Sequence, residues 1–236
     1  MILAAGRGER MRPLTDHCPK PLLPVGGKPL IVWHLERLAQ AGFREVVINH
    51  AWLGDRIEAA LGNGARWGLR LRYSPEATAL ETAGGIVQAQ PWGHGQPVLV
   101  INGDVWCDWP LARAASLRAQ LESGSLLAWC VLVDNPDHHP EGDFGLAEAR
   151  LVDVPAHARP RFTFAGIGLY AAGLFDGLVP GQSARLAPLL RQAAAGGRVG
   201  AEHYAGRWVD VGTPERLHQL DQTLALSFTN PQDVPR

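Results

Sequence analysis

Lysine is almost missing from this chain. Of its 22 basic residues only Lys20 and Lys28 are lysine, and both lie inside one short stretch, CPKPLLPVGGKPL. Cysteine is nearly as scarce. Cys18, Cys107 and Cys130 stand far apart with no C-x-x-C pair, which argues against a disulfide frame or zinc site and fits reduced thiols. The formal net charge is −1 and no basic run occurs, so no field draws in nucleic acid or a membrane surface. No apolar run approaches the ~18 residues of a membrane span, and MILAAGRGERM lacks the basic-then-apolar order of a secretory leader. These absences point to a cytoplasmic protein without a membrane or nucleic-acid partner. Repeats, low-complexity tracts and Gly/Ser linkers are missing too, so residues 1–236 read as a single domain.

What is present is a rhythm. MILAA is an apolar run leading into GRGERMRP, a buried strand followed by a glycine-rich loop, and its shortness suggests that residues are missing upstream. Pro29 suits the first turn of a helix carrying Ile31, Leu35 and Leu38, with Gly42 as its stop. EVVINH (45–50) is a second strand, LGDRIEAAL (53–61) a helix, LRLRYS (69–74) a strand and TAGGIVQAQ (82–90) a helix. PVLVINGDV (97–105) reads as one further strand ending in Gly103-Asp104. The succession predicts an α/β, Rossmann-like fold with a mostly parallel central sheet flanked by helices. Ligands of such sheets gather at the carboxyl ends of the strands, here Ala5-Gly6, Asn49-His50, Ser74-Pro75 and Gly103-Asp104. The later residues are less regular: a helix over about 110–122, a strand over 125–133, short strands at 143–147 and 162–171, and a helix near 185–195. A last helix is capped by Thr213, with Pro214 at its first position and Leu217, Leu220 and Leu224 facing inward.

The loop LAAGRGERMRPLT sets two glycines among three arginines. Glycines let backbone N–H groups approach an anion, and the arginines neutralise it; a tight turn with solvated arginines has the same local signature. Two phosphate-binding motifs fail on inspection. Met11 stands where a dinucleotide fingerprint needs its third glycine, and the G-K-[ST] of a P-loop does not occur.

The stretch LAAGRGERMRPLTDHCPKPLLPVGGKPLI resembles the signature of the sugar-1-phosphate nucleotidyltransferases, G-x-G-x-R-[ML]-x-P-L-T…P-K-P-x-x-P-V. Further segments SPEATALETAGGI, VINGDV and AGIGLY…WVDVGTPERL follow in the family's order, so the resemblance spans essentially the whole chain. It implies a nucleotide-binding half, 1–105, and a sugar-binding half, 106–236, with no β-helix tail. Gly6, Gly8 and Gly103 would approach the nucleotide, and Leu3, Ala5, Glu76 and the backbone near Glu81 would flank its base. Arg10 would contact the phosphates that leave as pyrophosphate, and Lys20 would sit by the α-phosphate. Lysine suits that place as a compact, rotatable point charge, where arginine imposes a planar fork. Lys28 matches no motif position and reads as a solvated turn residue.

A lone Asp at a strand end is often only a cap. On the family template, Asp104 and Asp210 become two hard oxygen ligands for Mg²⁺, with Asp104 also facing the sugar phosphate. His138-His139 reads as surface in a polar loop. Phe144, Gly145, Thr163 and Gly166 would wall the sugar, and Arg185 would hold its phosphate. Glu76 argues against cytosine and leaves U, T and G open. Where many relatives carry a Glu-Lys-Pro run this chain has DVPAHARPRF, whose His157, Arg159 and Arg161 favour a sugar with an extra carboxylate. VINHAWLGDRIE and EHYAGRWVDVGTPERL resemble members of the family that act in cell-wall recycling, and that resemblance implies uridylyl transfer from UTP to N-acetylmuramic acid 1-phosphate, by a monomer or weak homo-oligomer. Mannose-1-phosphate guanylyl transfer, glucose-1-phosphate uridylyl or thymidylyl transfer, and a non-catalytic nucleotide-sugar-binding module remain alternatives.

Overall fold

A computed structural model describes residues 1–92, 95–155, 157–158 and 160–229. The chain opens with β1 (Ile2–Leu3), passes through the glycine loop to a one-turn α1 (Leu14–His17), and forms a small hairpin of β2 (Pro24–Val25) and β3 (Lys28–Pro29). Then come α2 (Leu30–Gln40), β4 (Glu45–His50), α3 (Gly54–Leu61), β5 (Arg70–Pro75), α4 (Glu81–Ala89), β6 (Val98–Asn102) and β7 (Val105–Cys107). The later residues supply α5 (Arg113–Glu122), β8 (Ala128–Val133), β9 (Gly145–Ala147), β10 (Arg150–Val152), β11 (Thr163–Tyr170), α6 (Leu186–Ala195), β12 (Val199–His203), β13 (Trp208–Asp210) and α7 (Pro214–Thr229).

Nine strands join in one sheet, in the order β5-β4-β1-β6-β11-β8-β12-β10-β9. β11 and β10 run against the others, so the sheet is mostly parallel. Side chains alternate across its plane, because successive Cβ atoms of a strand point to opposite faces. Val46, Ile48, Leu99, Ile101, Val131 and Ala165 pack beneath α2, α3 and α5. Val47, Val100, Cys130 and Leu132 face the other way, toward α4 and α6. Burial on both faces is why these strands read as unbroken apolar runs.

α2 follows Pro29, which closes β3 just ahead of the helix instead of lying in its first turn. It stops where expected: Gly42 sits at φ +89°, and Phe43 N donates to Leu38 O at 3.0 Å. α7 buries Leu217, Leu220 and Leu224 in a third apolar cluster with Met11, Val25, Trp106 and Val211. Thr213 Oγ1 accepts from Arg216 N at 3.4 Å, as its capping place requires.

The apolar run over 97–105 is not one strand. β6 ends at Asn102, and β7 leaves the main sheet to pair with β13 in a separate two-stranded ribbon. Gly103 permits the departure. A Cβ there would stand 2.6 Å from Leu3 O, inside the backbone of the neighbouring strand. β10 and β12 were not expected; both are short and alternate weakly.

Candidate active site

The glycine loop crosses the carboxyl ends of β1 and β6. Gly8 takes φ +69° and ψ +42°, a left-handed conformation that a Cβ would strain, and its carbonyl accepts from Thr15 Oγ1 at 2.9 Å. A Cβ on Gly8 would also lie 3.1 Å from Thr15 Cγ2 and 3.4 Å from Lys20 Cβ, so the bare backbone lets Lys20 pass beneath the loop. The Lys20 side chain, only 10% exposed, reaches Asp104 Oδ2 with its Nζ at 2.7 Å. Arg10 is exposed and has no ion-pair partner among the described residues.

The β7–β13 ribbon brings the two aspartates together. Asp210 is in register with Val105, and Val211 N donates to Asp104 O at 2.7 Å. Asp210 Oδ1 takes a hydrogen bond from Arg216 Nη1 at 2.8 Å and lies 3.0 Å from His138 Nε2. Each carboxylate thus has one oxygen engaged by a cationic or imidazole group beside it, and each retains further lone pairs.

Two clefts meet at Asn102 and Asp104. The first, about 460 Å³, is lined by Leu3, Ala5, Gly6, Glu76, Glu81 and Gly103 among others, all of them expected on the nucleotide side. Glu76 is buried at 7% exposure, so it is no solvated loop residue. Its Oε1 accepts from Asn49 Nδ2 at 2.7 Å and its Oε2 from Leu80 N at 2.9 Å, while Asn49 Oδ1 accepts from Ala4 N at 3.0 Å. The carboxylate therefore stitches β4, the 76–80 loop and the start of the glycine loop around the cleft. Gly85 makes room for it, since a Cβ there would meet Glu76 Oε1 at 2.7 Å. Glu81 opens α4 at φ +60°, a backbone strain located at the rim of the cleft.

The second cleft, about 380 Å³, is lined by Arg10, Thr163, Gly166, Asp104 and Asp210, with His138, His139 and Trp208 beside them. Gly166 sits at φ +72° within an irregularity of β11, where a Cβ would stand 2.7 Å from Asn102 Nδ2. Thr163 Oγ1 donates to Asn135 Oδ1 at 2.9 Å.

Several expected sugar contacts lie elsewhere. Phe144 is 2% exposed in the core beneath α6, where its aromatic ring pays better than in a polar cleft, and Gly145 packs under Val152 and Val154. Arg185 precedes α6 with a side chain 78% exposed, 3.7 Å from Glu81 Oε1, and lines neither cleft. Arg161 is consumed by backbone carbonyls: Glu141, Gly142 and Asp143 each accept at 2.9 Å, and Val154 accepts as well. His157 is exposed, and Arg159 lies outside the described residues. His138 is exposed and His139 partly so, in keeping with the surface reading, and both line the cleft, with His138 against Asp210. Lys28 is corrected. Its Nζ pairs with Glu36 and sits 3.7 Å over the Trp33 ring, tying the β2–β3 hairpin to α2. Asn102, Trp208 and Arg216 were missed. Asn102 ends a buried strand, which is a usable signal; for the other two only the tertiary contact tells.

Known proteins resemble this chain in sequence and in fold. The family described as nucleotidyl transferase matches residues 1–226. N-acetylmuramate α-1-phosphate uridylyltransferase of Neisseria meningitidis serogroup B is 53% identical over 227 residues, covering 95% of this chain and 97% of that protein. The protein of the same name from Caulobacter vibrioides is 34% identical over 234 residues, covering 95% and 96%. A crystal structure from Bacillus anthracis, in complex with a sucrose, shares the fold with a TM-score of 0.83 at 21% identity, over 100% of this chain and 95% of that one.

Proposed function

This chain belongs to the nucleotidyl transferase family, and on that footing we propose that it moves a uridylyl group from UTP to N-acetylmuramic acid 1-phosphate, releasing pyrophosphate. The observation that carries this reading is the 53% identity to the meningococcal enzyme, sustained over nearly the full length of both chains. The convergence of Asp104, Asp210 and Arg10 on adjoining clefts, with Lys20 paired to Asp104, supports a working enzyme over a binding module that has lost its chemistry.

In the reaction, an oxygen of the sugar phosphate bonds to the α-phosphorus of UTP as the bond to the β-phosphoryl group breaks. Pyrophosphate leaves with the electron pair. The attacking oxygen is anionic near neutral pH, so no protein base has to take a proton. Lys20 lies under the glycine loop and offsets charge building on the α-phosphoryl oxygens. Arg10, exposed beside the second cleft, steadies the departing pyrophosphate. Asn49, held by Glu76, fixes the loop start against which the base rests.

Asp104 and Asp210 fit Mg²⁺, a cation that takes one or two carboxylates and completes its shell with phosphate and water oxygens. They would hold it where the clefts meet, and when bound it would neutralise phosphate charge. We place the reaction in the cytoplasm, in the recycling of cell-wall sugars. No helix among the described residues is long and apolar enough to cross a membrane.

The test is pyrophosphate release across a panel of nucleotides and sugar 1-phosphates. UTP with N-acetylmuramic acid 1-phosphate should exceed N-acetylglucosamine 1-phosphate in kcat/KM by at least ~10-fold, the worth of one charged contact. Glucose 1-phosphate or mannose 1-phosphate proving the better substrate would overturn the reading.

A further inference from the structure

The substrate proposed above differs from its neutral counterpart by a carboxylate, and a group in the second cleft must meet it. We propose that His139 is that group: braced by Asp143, its imidazole recognises the acidic substituent of the sugar phosphate. This assignment rests on the substrate reading of the preceding subsection.

The cations of the second cleft are few. Arg10 is taken by phosphate in the reaction just described. His138 lies 3.0 Å from Asp210 Oδ1 and against Arg216, so it belongs to the aspartate pair. Arg161 spends its guanidinium on carbonyls, and Arg185 lies beside Glu81 of the first cleft and does not line the second. His139 remains. It lines the cleft with a side chain 40% exposed, and its Nε2 lies 3.1 Å from Asp143 Oδ1. Its second ring nitrogen bonds no described residue.

The loop that carries His139 is built to hold it still. Asn135 Nδ2 donates to Pro140 O at 3.2 Å and to Arg161 O at 3.1 Å. Arg161 closes on the carbonyls of Gly142 and Asp143, and Asp143 Oδ2 accepts from Phe164 N at 2.8 Å. That last bond fixes Asp143 to β11 at the wall of the cleft, with its other oxygen turned to the imidazole. Such bracing fixes the orientation of the ring. With Asp143 held at Nε2, the ring presents its Nδ1 side to the carboxylate of the sugar. The other ionisable groups lining the cleft or touching its aspartates are His138, Asp210, Arg216, Arg10, Asp104 and Lys20, which pairs with Asp104. A neutral sugar gives Nδ1 no anion to meet, so the contact distinguishes the two substrates.

The experiment compares kcat/KM for N-acetylmuramic acid 1-phosphate and N-acetylglucosamine 1-phosphate, each with UTP, in wild type, His139→Gln and His139→Lys. His139→Gln should lower the acidic-to-neutral ratio about 10-fold, chiefly through KM for the acidic sugar, and His139→Lys should recover most of it. An unchanged ratio in His139→Gln overturns the assignment while leaving the substrate reading standing. Equal losses on both sugars mean that His139 only supports the loop, and overturn it as well. Wild type using neither sugar phosphate with UTP defeats the substrate reading, and this assignment with it.

Discussion

Lowering the pH should weaken this fold through a single histidine. His34, on α2, is 3% exposed. Its ring bonds to the backbone of Val105, and its Nε2 has no partner among the described residues. Burial, aided by the Arg37 guanidinium and opposed by Asp104, lowers its pKa from 6.5 to about 4. The unfolded chain takes up a proton as pH falls through 6.5, while the folded chain resists until about 4. Stability that is whole above pH 6.5 is therefore lost progressively between those two values. The loss reaches about 2 kcal/mol at pH 5 and approaches about 3 kcal/mol below pH 4. Urea denaturation at pH 7 and pH 5, on wild type and His34→Gln, isolates the histidine. Glutamine offers Val105 an N–H and takes no proton, and every other group cancels in the comparison. Wild type should lose about 2 kcal/mol more than the variant. Equal losses, within about 0.5 kcal/mol, would refute the claim that His34 stays buried and uncharged.

Three further outcomes follow from the site. Asp104→Ala should lower the rate on the order of 100-fold or more, and EDTA should stop wild type until Mg²⁺ is restored; full activity in excess EDTA would sink the two-carboxylate site. Lys20→Arg should keep the fold and lose most of kcat, because a planar fork cannot reproduce the Nζ position beside Asp104. Lys28→Arg should be near neutral, since arginine can keep both the Glu36 pair and the Trp33 face, and equal sensitivity at the two lysines would contradict these roles. Gly103→Ala should destabilise by about 1–3 kcal/mol in thermal or urea melts, as its Cβ forces β6 away from Leu3 O. An unshifted midpoint would show that the two strands can separate without cost.

The sequence alone carried what is local. Two-faced burial writes itself as apolar runs, so β4, β6, β8 and β11 were legible in place if not to the residue. Gly42 and Thr213 marked helix ends because each meets a backbone requirement within a few residues of itself. The signature from Leu3 to Ile31 fixed Gly8, Arg10 and Lys20 as a unit, and two acidic strand ends, Asp104 and Asp210, could be paired by analogy. What it could not carry is where side chains go once distant segments meet. The break at Gly103 depends on Leu3 O, a hundred residues earlier, and only that break sends β7 to β13 and sets the aspartates side by side. Phe144 looked like a wall and is core; Arg161 looked like a free cation and is a clamp for four carbonyls. His138 and His139 are at the surface as read, but which cleft they line only the fold shows. A residue type announces which interactions it can make, but which of them it makes is decided by the neighbours that the chain's long-range path supplies.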